Sequence, residues 1–316
     1  MPRLLFLCLS GLLLSACTSL FFHPQAHLVR TPTQLGLAYE DVYFMAADGV
    51  RLHAWWLPAS TEKVAGTVLF LHGNAENIST HIGSVAWLPS KGFNVFLFDY
   101  RGYGLSQDKP HLKGLHLDVE AALTTVIQRV GTSSKLIVFG QSLGASLAIT
   151  SLAISAYRYL VKALVIDSAF SSYRDITREK LANFWLTWAF QLPLSLAVNN
   201  TYRPLEDIVR LAPIPILIIH GTADKTIPVH HAQRLYAAAG SPKQLWLIPN
   251  KYHIQSLSSA NVRQRLFEYL NTSKVLRFGF QEILPLPKSY GLDSKKYFQS
   301  LTVWIPRNTS KSKERA

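Results

Sequence analysis

The sequence predicts an α/β fold, with a mostly parallel eight-stranded sheet flanked by helices. Composition is the first observation behind this prediction, because 316 residues with 48% apolar residues and no single-residue bias are typical of a folded globular chain and exclude disordered and collagen-like classes. The second is the alternation of short β-branched or aromatic runs with longer amphipathic runs, which is typical of helices that cross between parallel strands. The third is a serine flanked by glycines between one such strand and helix.

The predicted strands and helices alternate along residues 38–271, which we take as the folded domain. The runs 39–46 and 50–57, joined at Asp48-Gly49, predict an antiparallel hairpin. Short apolar runs predict buried strands at 67–71, 94–98, 135–139, 163–166, 214–219 and 244–248. Helical spacing of apolar residues predicts helices at 118–130, 143–157, 229–239 and 256–270.

The N-terminus has the pattern of an export signal. Arg3 precedes an apolar run over 4–14, which is shorter than the roughly 20 residues that a membrane-spanning helix needs. The run ends in Leu-Ser-Ala-Cys at 14–17, which resembles the lipobox of bacterial lipoproteins. We therefore predict a signal peptide over 1–16, lipidation of Cys17 and a linker over 17–37. An ordinary secretory signal with a chance cysteine is the alternative.

This N-terminus also predicts a location and excludes a disulfide. A lipidated chain would lie in the bacterial cell envelope, and Thr18 in place of an aspartate favours the outer membrane, facing the periplasm. The chain has two cysteines, of which Cys8 would leave with the signal and Cys17 would carry lipid. No thiol would then remain for a disulfide, a metal or catalysis.

The formal net charge of +13 raises the question of an anionic partner. A C-terminal extension over 272–316 carries nine basic and three acidic residues, so much of the excess lies outside the predicted domain. No nucleic-acid-binding motif or basic helix is evident, and nucleic acid is not a predicted partner. Contact with a membrane surface is the favoured use of this charge, with packing on the domain and disorder as alternatives.

The chemistry begins at Gly-Gln-Ser-Leu-Gly, residues 140–144, which fits the G-x-S-x-G nucleophile elbow between a strand and a helix. In this motif the serine adopts a strained turn that projects its Oγ beyond the sheet, and the glycines allow strand and helix to cross closely. Ser142 is therefore the candidate nucleophile. The alternative is a tight turn with a serine that only caps the helix.

A serine nucleophile needs a base and an orienting acid, which this fold supplies in the chain order Ser, Asp, His. His253 lies in a loop after the last predicted strand, whereas His230 and His231 begin a predicted helix, where we expect solvated first-turn residues. Asp224 directly follows a predicted strand and is the favoured acid. Asp167, which follows the preceding strand, is the competing acid and otherwise bonds its own loop.

An oxyanion site is predicted from two backbone N–H groups, those of Leu143 beside the nucleophile and Asn74 after the strand at 67–71. His72 precedes the nucleophile in the chain, so we expect it to shape this loop through a hydrogen bond. The acyl transfer predicted for this set requires no metal and no organic cofactor.

These motifs, with Asp-Tyr-Arg-Gly-Tyr-Gly at 99–104 and Gly-Thr-Ala-Asp at 221–224, resemble the α/β-hydrolase superfamily over about residues 38–271. Within it the chain is similar to serine aminopeptidase-like and monoacylglycerol-lipase-like hydrolases, a branch that includes protein depalmitoylases. The resemblance implies Ser142, Asp224 and His253 as the triad, and structural loop roles for Asp99 and Arg101.

The segment 168–213 is inserted where such hydrolases place a short helical lid, and this lid segment gives the clues to the substrate. Its aromatic and leucine-rich run over 184–196 either lines an acyl pocket, touches lipid or covers the sheet edge. Acidic and basic residues alternate there, without an acidic cluster for a peptide amine, so an ester or thioester of a small molecule or lipid is the predicted substrate. An aminopeptidase-like hydrolase and a catalytically silent envelope lipoprotein are the alternatives.

Overall fold

One eight-stranded sheet organises the computed structural model, which describes residues 22–182, 187–196, 198 and 200–271. The order is β1-β2-β4-β3-β5-β6-β7-β8, and only the pairs β1–β2 and β2–β4 are antiparallel. The predicted hairpin and the mostly parallel sheet are both confirmed. The strands are β1 (Glu40–Met45), β2 (Arg51–Leu57), β3 (Gly66–Leu71), β4 (Phe93–Asp99), β5 (Leu136–Gln141), β6 (Val161–Asp167), β7 (Ile216–Gly221) and β8 (Lys243–Ile248).

Helices connect the strands and form the lid. The α-helices are α1 (Ile78–His81), α2 (Leu112–Val130), α3 (Leu143–Ile154), α4 (Tyr173–Ala182), α5 (Gln191–Leu196), α6 (Pro204–Asp207), α7 (His230–Ala238) and α8 (Ala260–Asn271). Short 3-10 turns lie at Pro32–Leu35, Ile82–Ser84, Pro89–Lys91, Arg158–Leu160, Trp188–Phe190, Ile208–Leu211 and Ser256–Ser258.

The central strands are buried on both faces, which explains their near-continuous apolar sequences. Along β3, Leu69 and Leu71 belong to a core shared with α2, α3 and α7. Val68 and Phe70 belong to a second core on the other face, shared with α8 and the turns that follow β3. This arrangement leaves the carboxyl ends of the parallel strands free to carry loops.

Helix α2 begins six residues before the predicted start, at Leu112. Gly114 lowers the helical propensity of this first turn, which is why the sequence pattern misses it. A methyl group at Gly114 would lie 2.4 Å from Nε of Arg101, so the glycine makes room for that side chain. Arg101 donates to Asp118 of α2 (Nη2 to Oδ1, 2.7 Å) and to Asp48 in the hairpin turn (Nη1 to Oδ2, 2.8 Å).

Residues 22–37, which the sequence assigns to a linker, lie against the domain. His23 and Pro24 pair in parallel with Ala75 and Glu76, directly after the loop that follows β3. Phe22 is buried in the core that contains α2 and α3. The segment lacks strand or helix periodicity, and its contacts are to residues about fifty positions away, so local pattern did not predict them.

Four predictions fall wholly or partly on residues outside the described ranges. The signal peptide over 1–16 and the basic extension over 272–316 lie wholly outside them. The linker lies partly outside, at 17–21 with Cys17, and so does the lid, at 183–186, 197 and 199. Within the described ranges, no helix has the length and apolar character needed to cross a membrane.

Buried polar contacts join α2 to α3. His116 donates from Nδ1 to the carbonyl of Leu112 (2.8 Å), and its Nε2 lies 2.8 Å from Oγ1 of Thr150. The imidazole also stacks on the ring of Tyr202, with centroids 3.5 Å apart. Burial lowers the pKa of His116 to about 4.

This pKa predicts acid destabilisation. An unfolded histidine titrates near pH 6.5, so the unfolded chain binds this proton more tightly than the folded chain, and the free energy of unfolding should fall by up to about 3 kcal/mol between about pH 6.5 and about pH 4. His116→Gln removes this titration and should flatten the pH dependence, measured by urea unfolding across that range. Equal slopes in both proteins would contradict the assignment.

Candidate active site

Ser142 stands at a strained turn between β5 and α3. Its backbone has φ 53° and ψ −115°, a left-handed conformation that is costly for a residue with a side chain. A Cβ at Gly140 would lie 2.4 Å from the carbonyl oxygen of Gly144, and one at Gly144 would lie 2.2 Å from that of Leu71. The two glycines therefore permit a backbone crossing that no other residue would allow.

The structure brings Ser142, His253 and Asp224 into one chain of hydrogen bonds. Oγ of Ser142 lies 2.9 Å from Nε2 of His253, and Nδ1 of His253 lies 2.8 Å from Oδ2 of Asp224. The three residues come from the loops after β5, β8 and β7, which all end at the same edge of the sheet. The imidazole is 21% exposed, so the site is reachable from solvent.

Asp224 is held as a carboxylate. Its Oδ1 accepts hydrogen bonds from the N–H groups of Thr226 (2.8 Å) and Ile227 (2.9 Å). Burial alone would raise the pKa of Asp224, but the hydrogen bond and charge of His253, with the N–H of Ile227, lower it below the usual value. An ionised Asp224 accepts a hydrogen bond from Nδ1–H of His253, which leaves Nε2 as the acceptor for the hydroxyl of Ser142.

Asp167, the competing acid, bonds elsewhere. Its carboxylate accepts from Nε2 of Gln141 (3.0 Å), from Oγ of Ser256 (3.0 Å) and from Oγ of Ser168 (3.2 Å). Burial raises the pKa of Asp167, although these hydrogen bonds oppose the shift. The carboxylate thus braces the loops that carry Ser142 and His253.

The histidines at the start of α7 contact the lid. His230 and His231 lie 3.1 and 3.2 Å from the two carboxylate oxygens of Glu179 in α4. The expectation of a solvated first-turn residue is wrong for His231, which is fully buried and whose Nδ1 accepts a hydrogen bond from the backbone N–H of Ser171 (3.1 Å). Sequence pattern did not reveal a contact between residues sixty positions apart.

Among the described residues, Glu179, His230 and His231 also offer three metal-ligand atoms within 4.8 Å of one another. The N–H of Ser171 occupies the Nδ1 lone pair of His231, so the ring proton lies on Nε2 and points to Glu179. A metal at Nε2 would need that proton removed. The group therefore acts as a hydrogen-bonded link between α4 and α7.

The loop after β3 lies against the nucleophile. A Cβ at Gly73 would be 3.7 Å from Cβ of Ser142, which brings the adjacent Asn74 to the same side of the site. The hydroxyl of Tyr103 donates to the carbonyl of Asn74 (2.8 Å), and that of Tyr100 donates to the carbonyl of His72 (3.0 Å). As predicted for its loop, His72 bonds its neighbour, with Nδ1 2.8 Å from the carbonyl of Gly73.

Leu143, the second predicted oxyanion donor, is the first residue of α3. Backbone N–H groups in the first turn of a helix have no partner within that helix and point toward its N-terminus. The N–H of Leu143 therefore lies at the N-terminus of α3, directly after Ser142.

Sequence reasoning did not single out His81, which lies behind this loop. A Cβ at Gly73 would be 3.1 Å from Cε1 of His81, whose Nε2 lies 3.1 Å from the carbonyl of Ala75. Burial lowers the pKa of His81, so it stays neutral near pH 7. Its placement depends on the fold of the loop, and no local sequence signal marks it.

Comparison with known proteins identifies the family. A family model described as "Serine aminopeptidase, S33" matches residues 62–206. YfhR of Escherichia coli is 35% identical over 238 residues, which cover 73% of this chain and 80% of YfhR. WAV2 of Arabidopsis thaliana, an α/β-hydrolase domain-containing protein, is 33% identical over 67% of this chain and 70% of WAV2. The chain belongs to the α/β-hydrolase superfamily.

Solved structures agree with the fold of this hydrolase. The esterase Pf2001 of Pyrococcus furiosus superposes with a TM-score of 0.62 at 25% identity, over 78% of this chain and 98% of the esterase. Acetyl xylan esterase 1 of Thermoanaerobacterium superposes with a TM-score of 0.57 at 20% identity, over 74% of this chain and 84% of that enzyme. The sequence-based fold assignment is therefore confirmed.

The close approach of α3 to β3 predicts that only glycine is tolerated at position 144. Gly144→Ala should lower the free energy of unfolding by roughly 2 kcal/mol or more, because its Cβ would overlap the backbone of β3. Gly83→Ala is the control, since a Cβ there meets nothing within 4 Å. Urea unfolding of both variants measures the difference, and equal stability of the two would contradict the crossing.

Proposed function

We propose that this protein is a serine hydrolase that cleaves a carboxylic ester or thioester through a covalent acyl-enzyme. The observation that carries the proposal is the continuous hydrogen-bond chain from Asp224 through His253 to Ser142. Its order and tautomer are those that general-base activation of a serine requires.

In acylation, Oγ of Ser142 attacks the substrate carbonyl carbon while Nε2 of His253 takes the hydroxyl proton. The tetrahedral intermediate collapses, and His253 gives that proton to the departing alcohol or thiol. Water then attacks the acyl-enzyme, His253 accepts one of its protons, and the acid leaves as Ser142 is regenerated. Asp224 stays ionised and stabilises the imidazolium that forms in each step.

Two backbone N–H groups are proposed to hold the oxyanion. That of Leu143 lies at the N-terminus of α3, and that of Asn74 follows β3. Tyr103 supports this role for Asn74, since its hydroxyl fixes both the carbonyl and the side-chain oxygen of that residue (2.8 and 3.0 Å). A donor fixed before the reaction needs no reorganisation when charge develops on the substrate oxygen.

The lid favours an ester over a peptide. Recognition of a peptide N-terminus would use an unpaired carboxylate, but each described acid of α4 and α6 is paired. Asp175 bonds Arg234, Glu206 bonds Arg203, and Asp207 lies near Arg210. Glu179 bonds the two histidines of α7.

An aminopeptidase-like activity is the second candidate, because the matching family model is described as a serine aminopeptidase. Matched p-nitrophenyl esters and p-nitroanilides with the same acyl group separate the two candidates. We expect faster hydrolysis of the ester beyond the difference in intrinsic reactivity. Preferential cleavage of an aminoacyl anilide would reassign the substrate.

Ser142→Ala should abolish hydrolysis of p-nitrophenyl esters from acetate to palmitate and labelling by a fluorophosphonate, with a loss of at least about 10³-fold in kcat/KM. Ser151→Ala is the matched control on the same helix, because its buried hydroxyl has no hydrogen-bond partner among the described residues. Absence of turnover and labelling in the folded wild-type protein would instead favour a catalytically silent binding lipoprotein.

Replacement of Asp224 and of Asp167 should have very different effects on kcat. Asp224→Asn should lower kcat by roughly 10³-fold or more at pH 7, because an amide favours the wrong tautomer of His253. Asp167→Asn should lose less than about tenfold, since it keeps the shape of a group that bonds only to supporting side chains. Steady-state kinetics at saturating ester checks both, and the reverse ranking would assign the acid to Asp167.

A further inference from the structure

The N-terminal segment is fixed to the same loop that carries Asn74. The N–H of Gln25 donates to the carbonyl of Glu76 (3.1 Å), and its carbonyl accepts from Nδ2 of Asn77 (2.9 Å) and from the N–H of Gly104 (3.0 Å). Nδ2 of Asn77 also donates to the carbonyl of His27 (2.8 Å). The segment therefore cannot move away from the site without breaking several hydrogen bonds.

The predicted lipidation site is close to this fixed point along the chain. Phe22 is buried in the core with only 6% of its surface exposed. Cys17 precedes it by five residues, which span at most about 17 Å when fully extended. A lipid chain on Cys17 would hold the edge of the domain near Asn74 within that distance of the membrane surface.

The lid carries exposed apolar side chains at the same edge of the sheet. It follows the carboxyl end of β6, as the Asn74 loop follows the carboxyl end of β3, and both strands run parallel to β5 between them. Five lid side chains at this edge are more than two-fifths exposed. They are Trp188 (62%), Phe190 (59%), Leu192 (57%), Leu194 (44%) and Leu196 (57%).

Exposed aromatic and leucine side chains beside basic residues are typical of surfaces that lie in a lipid interface. Arg178 and Lys180 are exposed on α4, which packs against α5 of this apolar run, and they would attract anionic headgroups. The predicted lipid tether would therefore join the domain at the edge that carries the apolar lid and the exposed cations.

We propose that this edge is a membrane-facing surface, and that its partner is the bilayer in which Cys17 is anchored. Trp188 and Phe190 insert among the headgroups, and the active site takes acyl esters or thioesters from the leaflet that holds the protein. This inference rests on the proposed function and on the predicted lipidation of Cys17.

The test uses the full lipidated chain in vesicles of phosphatidylethanolamine and phosphatidylglycerol. A fluorogenic long-chain ester lipid is placed either in the same vesicles or in separate ones, and a short soluble ester is measured in parallel. We expect hydrolysis of the embedded ester to be at least about tenfold faster when protein and ester share a vesicle.

A double variant, Trp188→Ser with Phe190→Ser, should lose at least about fivefold in rate on the embedded ester and keep its rate on the soluble ester. The matched control replaces Ile154 and Tyr159 by serine, because they are as exposed (62% and 67%) but lie at the end of α3 and before β6, on the opposite edge. This control should behave as wild type on both esters.

Quenching of tryptophan fluorescence by brominated lipids gives a readout besides activity, and Trp188→Phe should remove most of it. Equal rates in shared and separate vesicles, equal effects of the two double variants, quenching unchanged by Trp188→Phe, or absence of lipid on Cys17 would each overturn this inference. Loss of soluble-ester hydrolysis in the wild-type protein would instead contradict the proposed function.

Discussion

The backbone crossing of β5 and α3 at Ser142 is the constraint on which the site depends. Two glycines bring the first turn of the helix to within contact of the backbone of β3, and the serine between them takes a left-handed conformation. The cost of such a conformation, roughly 1–3 kcal/mol, is met by burial of α3 between the sheet and its neighbours. The hydroxyl of Ser142 and the N-terminus of α3 therefore lie next to each other at the edge of the sheet.

Asp224 and His253 reach Ser142 because the strands that precede them run parallel to β5. Asp224 follows β7 and His253 follows β8, so their side chains meet in front of Ser142 without long connections. A second layer of buried polar groups keeps these loops in place. Asp167 ties Gln141 to Ser256 beside the loops of Ser142 and His253, while Tyr100 and Tyr103 hold the carbonyls of His72 and Asn74.

The same buried polar groups give the loop at 99–104 a structural role. Asp99 is buried and accepts from the N–H of Ile78 (2.9 Å), which fixes the start of α1. Arg101 is equally buried, and although burial opposes its charge, the hydrogen bonds that it donates to Asp118 and Asp48 raise its pKa. Breaking these ion pairs would leave a buried charge without a partner, which is strongly unfavourable. The loop is therefore held in one conformation.

Sequence alone predicted every strand of the main sheet and singled out Ser142, Asp224 and His253, which the structure joins by hydrogen bonds, because apolar runs, turn residues and the elbow motif are local signals. It placed the start of α2 too late, since Gly114 serves the distant Arg101 rather than the helix. It assigned residues 22–37 to a linker because hydrogen bonds to Glu76 and Asn77 leave no periodic pattern. Burial of His231 and exposure of Trp188 also depend on tertiary contacts that an apolar or polar pattern does not encode.

Covalent capture of the acyl group tests the central claim most directly. The protein is mixed with p-nitrophenyl butyrate, quenched in acid within milliseconds and digested, and the peptides are sequenced by mass spectrometry. One butyryl group on Ser142, formed and lost at rates that match turnover, is the result that an acyl-enzyme predicts. Turnover with no acyl group on Ser142, or with the group on another residue, would contradict it.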